Sequence, residues 1–199
     1  MTITCTPADR AGLLAEGLRL ARGGDIAAAG AVLRRASDDG RAGGVLKHLV
    51  KVLAGAGQYA EAIIVALEAA RCEDPDPTAL THLGFLLETR GDWHGAALLY
   101  REAIDRGDGL ARWRLTQAYE RRGELDTAVE VAREAADAGD LGPLENLALG
   151  REERARDADA TALFELAADG YGSRFAGSWL SARRERSGDR RAAVEAARA

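Results

Sequence analysis

One turn recurs through the chain and constrains its fold more than any other feature. The segments RGGDIAAAGAVLRRA, AGQYAEAIIVALEAA, TRGDWHGAALLYREA, RRGELDTAVEVAREA, ERARDADATALFELA and RSGDRRAAVEAARA share one pattern. Taking Gly24, Gly57, Gly91, Gly123, Ala155 and Gly188 as equivalent gives spacings of 32 to 34 residues. A period of this length marks a stack of supersecondary units, none of which can bury its apolar face alone.

Each unit reads as two amphipathic helices flanking the turn. In the second unit Leu46, Leu49, Val50 and Leu53 recur at helical spacing before the turn, and another apolar series follows it. Five residues beyond each turn stand Ala29, Ala62, Ala96, Ala128, Ala160 and Ala193, as expected where two backbones approach too closely for a larger side chain. A second alanine set, Ala36, Ala69, Ala103, Ala135 and Ala167, lies further along. Gly40, Gly107, Gly139 and Gly170 then suit left-handed C-caps. Pro75, Pro77 and Pro143 fall at junctions between units. Thr6, Pro7 and Asp9 compose a helix start, with Thr6 as N-cap.

Composition agrees with an all-α chain: 47% of residues are apolar, only 5% are aromatic, and Ala and Leu dominate over β-branched types. A net charge of -5 argues against wholesale binding of nucleic acid, whose affinity rests on clustered cations. No apolar run is long enough to span a bilayer, and the start MTITCTPADR lacks the pattern of a secretory signal, so no membrane association and a cytoplasmic location are expected. The arginine bias fits GC-rich coding and a bacterial source. Cys5 and Cys72 lack metal-ligand spacing and are expected to be bystanders.

The unit resembles the tetratricopeptide repeat (TPR). Leu80, Leu83, Gly84, Leu87, Ala96, Tyr100 and Ala103 fill the seven signature positions in the third unit; Leu144, Leu147, Ala148, Ala160, Phe164 and Ala167 fill six in the fifth, with Arg151 departing. REAADAGD and ELAADGYG are similar to the second helix and exit turn of Sel1-like repeats. The resemblance implies an α-solenoid of about six antiparallel helix pairs in a right-handed TPR-like superhelix, with first helices lining a concave groove. The whole chain, 1–199, is then one repeat domain, with units at about 10–42, 43–76, 77–108, 109–140, 141–173 and 174–199.

Nothing in the sequence indicates catalysis, a metal or a cofactor. His48, His82 and His94 form neither a His-Glu-x-x-His pair nor a Cys-His cluster and are expected at the solvated surface, and no phosphate-cradling loop follows a strand. The expected function is a non-enzymatic scaffold that binds a peptide or protein segment. A sensor domain for a small molecule or signalling peptide is the alternative from another class, and assembly through the ends is a third. The sixth unit has no further solvating helix, so Leu180 and Val194 are candidates for self-association there.

Lys47 and Lys51 are the only lysines among 27 Lys and Arg residues. They lie four apart on one flank of the Leu46, Leu49, Val50 and Leu53 stripe. In TPR domains those positions face the groove. The resemblance extends to carboxylate-clamp TPR domains: Lys47 and Arg114 match the clamp, whereas Lys51, His82 and Leu110 stand where Asn, Asn and Lys are expected. Phe85 and Trp113 would floor the groove, with Gln117 beside them, and Glu88, Glu120, Glu145, Glu152 and Glu185 would make its far end acidic. The expected partner carries an acidic segment or a free carboxylate and contacts Lys47, Lys51, His82, Phe85, Trp113, Arg114 and Gln117.

Overall fold

A computed structural model describes residues 6–37, 41–153 and 157–196, with side chains given except at Pro7 and from position 189 onward. Cys5, Gly40 and Ala155 therefore lie outside the described residues, as do the side chains of Ala193 and Val194. The described chain is helical: α1 (Pro7–Arg22), α2 (Ile26–Ala36), α3 (Gly43–Gly55), α4 (Tyr59–Ala69), α5 (Thr78–Thr89), α6 (Trp93–Asp105), α7 (Gly109–Arg122), α8 (Leu125–Asp137), α9 (Gly142–Glu153), α10 (Asp157–Glu165) and α11 (Arg174–Ala196). Among the described residues there is no strand, only an isolated bridge between Ala42 and Asp74. The fold is all-α, a series of TPR-like helix hairpins.

The helices form two compact units, Met1–Arg114 and Leu115–Ala199, with the boundary inside α7. In the first, α1 pairs with α2, α3 with α4 and α5 with α6, while α1, α3 and α5 lie side by side. In the second, α8 packs on α9, α9 on α10, and α10 on α11.

Each hairpin turn has a local cause. Gly24, Gly57, Gly91 and Gly123 take φ between 79° and 86°, the left-handed region that a side chain disfavours. Asp25 and Asp92 cap the following helices by accepting from the amides of Ala28 and Gly95. At the first helix the expected N-cap Thr6 accepts from the Asp9 amide at 3.2 Å, and the Asp9 side chain returns the bond to complete a capping box.

The alanines lie where the helices cross. Ala29, Ala62, Ala96, Ala128 and Ala160 are at most 1% exposed, and the second alanine set is fully buried. In the third hairpin a Cβ added at Gly84 would stand 2.8 Å from Tyr100 Cε1 and 3.3 Å from the Ala96 carbonyl oxygen. Gly84, Ala96 and Tyr100 therefore form one interlocked crossing, with no room for an added carbon.

Two expectations about glycine are corrected. Gly170 does not cap a helix; it ends a π-helical turn, Leu166–Gly170, and the left-handed residue is Gly172 with φ 70°. Gly188 makes no turn either, because α11 runs unbroken for 23 residues. The sixth unit is thus a single helix rather than a hairpin. Its turn lacks the apolar context of the others: the flanking RRERSGDRR offers no stripe to fold back. Leu180, expected on an uncovered terminal face, is 7% exposed and belongs to the core around Leu163 and Phe164.

Two substitutions test this arrangement. Ala96→Leu should destabilise the protein by about 1–3 kcal/mol in urea denaturation, the usual cost of overpacking. Gly188→Ala should increase helicity by circular dichroism, because no neighbour approaches the added carbon and alanine is favoured over glycine by about 1 kcal/mol in a helix.

Candidate functional site

The flank of α3 that carries both lysines faces α5, but the two ammonium groups have different roles. Lys47 Nζ lies 2.6 Å from Asp76 Oδ2 and donates to Thr78 Oγ1 at 3.1 Å. Asp76 also accepts from the Thr78 amide at 3.1 Å and from its hydroxyl. Lys47 thereby fastens α3 to the junction that starts α5. Burial pushes the Asp76 carboxyl up, but hydrogen bonds from Lys47 and Thr78, with the lysine charge, outweigh it and hold the pKa below its ordinary value.

This junction device recurs. Asp108 accepts from the Leu110 amide at 3.0 Å and from the Thr81 hydroxyl, tying α5 to the start of α7. Asp140 accepts from the Gly142 amide at 3.1 Å. In the second unit Ser173 accepts from the Ala176 amide at 3.0 Å and donates to Glu145 at 2.5 Å. Asp76, Asp108, Asp140 and Ser173 stand 32 or 33 residues apart, a periodicity as regular as that of the turns. The sequence held this signal, which the stronger glycine pattern obscured.

Lys51 is different, being exposed and without an acidic partner among the described residues. Across from it on α5 lies His82, and from the start of α7 comes Arg114. The Arg114 guanidinium carbon stands 4.6 Å from the Phe85 ring centroid and 5.0 Å from that of Trp113. Both distances are within cation–π range. The structure thus brings together Lys47, Lys51, His82, Phe85, Trp113 and Arg114 on the face shared by α3, α5 and the start of α7. Gln117 belongs to the second unit, where its amide oxygen accepts from Arg121 at 3.3 Å.

His48 and His82 are half-buried rather than solvated, whereas His94 is exposed. Burial lowers the His82 pKa, and the charges of Lys51, Lys47 and Arg114 lower it further. His48 is lowered by burial, Lys51 and Lys47, against an opposing pull from Asp76. Both imidazoles report positive potential around them.

The expected acidic end is corrected, since four of its five carboxylates are used internally. In the first unit Glu88 is 5% exposed and accepts from the Tyr100 hydroxyl at 2.8 Å. In the second, Glu145 is held by Ser173, and Glu152 accepts from Trp179 Nε1 at 2.8 Å. Trp179 in turn stacks on Phe164 with centroids 4.1 Å apart. Glu120 stands 3.7 Å from Arg151, which is 4% exposed. Arg151, the departure from the repeat pattern in the fifth unit, is thus a buried cation matched to a nearly buried carboxylate. Only Glu185 remains exposed.

Among the described residues no group of three or more His, Cys, Asp or Glu could hold a metal ion, and no helix is long and apolar enough to cross a membrane. Cys72 is a free thiol near the Asp74 carbonyl oxygen, 3.2 Å away.

No protein-family model and no curated protein matches the sequence. Solved structures to which the chain is similar include MamA, 19% identical, covering 77% of this chain and 92% of that one with a TM-score of 0.47. A putative kinesin light chain with nearly identical TPR-like repeats from Podosopora anserina is 13% identical, covering 85% and 100% with a TM-score of 0.48. YrrB, a TPR protein with an unusual peptide-binding site, is 18% identical, covering 86% and 90% with a TM-score of 0.43.

The two lysines should separate in stability measurements. Lys47→Met leaves the Asp76 carboxylate without its ammonium and should cost about 1–3 kcal/mol in urea denaturation, whereas Lys51→Met should stay within about 0.5 kcal/mol of the parent.

The histidines predict a pH effect whose direction follows from linkage. Their pKa values are depressed on folding, so their contribution to stability is complete above the ordinary value of 6.5 and lost as pH falls through the folded values. The melting temperature should therefore decline on acidification from neutrality, and the His48→Gln, His82→Gln double variant should show a flatter profile by scanning calorimetry.

Proposed function

We propose that the protein is a non-catalytic interaction scaffold that binds an acidic peptide segment or a free carboxylate on the face shared by α3, α5 and the start of α7. One observation carries this reading: in a chain of net charge -5, Lys51 and Arg114 flank His82 with no acidic partner among the described residues. An unpaired cation cluster on an ordered helical face is a recognition surface for anions, supplying orientation and association rate. Phe85 and Trp113 add an apolar floor beneath Arg114, and a rigid aromatic beside a cation is the usual composition of a binding hot spot.

Each residue has a distinct task. Lys51 provides the exposed charge, Arg114 a planar donor held by the rings, and His82 a half-buried imidazole that an arriving carboxylate would help to protonate. Lys47 lends charge to the face while its ammonium stays fastened to Asp76, so it organises more than it grips.

The test is fluorescence anisotropy with a labelled, glutamate-rich peptide bearing a free carboxyl terminus, compared with its glutamine, amidated counterpart. The parent protein should bind the first with an affinity that falls as salt rises. Lys51→Glu with Arg114→Glu should abolish binding while leaving the melting temperature nearly unchanged. Equal binding of the two peptides, or retention by the double variant, would remove the proposal.

A further inference from the structure

Lys51 also borders a second feature of this face of α3. A cleft of about 670 Å³ opens between the carboxyl-terminal halves of α1 and α3 and the turn leading into α2. Leu18, Ile26, Val52 and Ala56 wall it, and its only charged lining residues are Lys51 and Arg22. Arg22 donates from Nε to the Leu18 carbonyl at 3.3 Å, which holds its guanidinium along the end of α1. Neither cation has an acidic partner among the described residues.

Size and chemistry together select a ligand class. Small-molecule sites fall at about 300–1,000 Å³ and are mostly apolar with a few placed polar groups. The cleft lining is apolar apart from two cations, a pattern that suits a molecule with one apolar part and one anionic group. A neutral apolar molecule would leave both cations unused, and a cationic one would be repelled. We propose that the cleft binds a small amphiphilic carboxylate, its aliphatic tail against Leu18, Ile26 and Val52 and its carboxylate on Lys51 and Arg22. This goes beyond peptide recognition and depends on different walls, with Lys51 the one shared residue.

Gly55 permits a clean test. It lines the cleft, and a Cβ built there meets nothing within 4 Å, so Gly55→Leu introduces a bulky side chain at the cleft wall from a position whose first added carbon has open space. The experiment titrates isotopically labelled protein with octanoate, octanol or acetate by heteronuclear NMR. Octanoate should give saturable shifts centred on Val52, Gly55 and Ala56, octanol should bind at least tenfold more weakly, and acetate should give no such shifts. Gly55→Leu should abolish the octanoate response yet still bind the glutamate-rich peptide, which separates failure of this site from failure of the peptide face. Lys51→Gln, which removes the charge and keeps a polar side chain at the exposed position, should erase the preference for octanoate over octanol. Absence of saturable shifts with octanoate, equal binding of octanol, an unchanged response in Gly55→Leu, or a preference that survives Lys51→Gln would each overturn the assignment.

Discussion

The close crossing of paired helices at small residues is the contact on which the rest depends. With Gly84 and Ala96 at the crossing, Tyr100 lies over the first helix, and its hydroxyl reaches the buried Glu88. A larger residue at either point would push the helices apart and take the Tyr100 hydroxyl away from that carboxylate, a loss beyond packing alone. Because α3 and α5 each pack against their own partners this way, one flank of each remains available to carry side chains such as Lys51 and His82.

Junctions supply the second level of order. A carboxylate or hydroxyl just before each of several first helices accepts from an amide at the start of that helix and reaches back to the preceding one, as Asp76 does to Lys47, Asp108 to Thr81 and Ser173 to Glu145. The partners differ chemically but occupy the same place. This consumes polar groups that would otherwise decorate the surface, and in the first unit, together with the inward-turned Glu88, it leaves a locally positive face on an acidic protein. The electrostatics of that face come from where anions are sequestered as much as from where cations stand.

Much of the fold was legible because single residues answer to single local constraints. A glycine at a left-handed turn, an alanine at a backbone contact and a Thr-Pro-Ala-Asp helix start each state their own geometry, and repetition multiplied the signal. Gly188 misled for the converse reason: it kept its place in the period while the stripe that would fold the chain back had been replaced by arginines, and in α11 helix propensity prevailed. The face itself was partly legible: helical spacing put Lys47 and Lys51 on one flank, and the TPR resemblance placed His82, Phe85 and Arg114 beside them. The pairing of Lys47 with Asp76, the burial of Glu88 and the half-burial of the histidines were not, because each depends on a partner 12 or more residues away whose reach no periodicity encodes.

Scarcity of lysine gives the site an unusual chemical exposure. The Lys47 side chain is 29% exposed and fastened to a carboxylate, whereas Lys51 is exposed and borders the apolar cleft. Reagents that acylate primary amines, and resins or sensor chips that couple through them, will therefore find few targets besides Lys51 and the amino terminus. Random amine chemistry on this protein is close to site-directed chemistry on the Lys51 flank of α3. Protein coupled through Lys51 would be held with that flank against the support, while coupling through thiols, at Cys5 and Cys72, would leave Lys51 untouched.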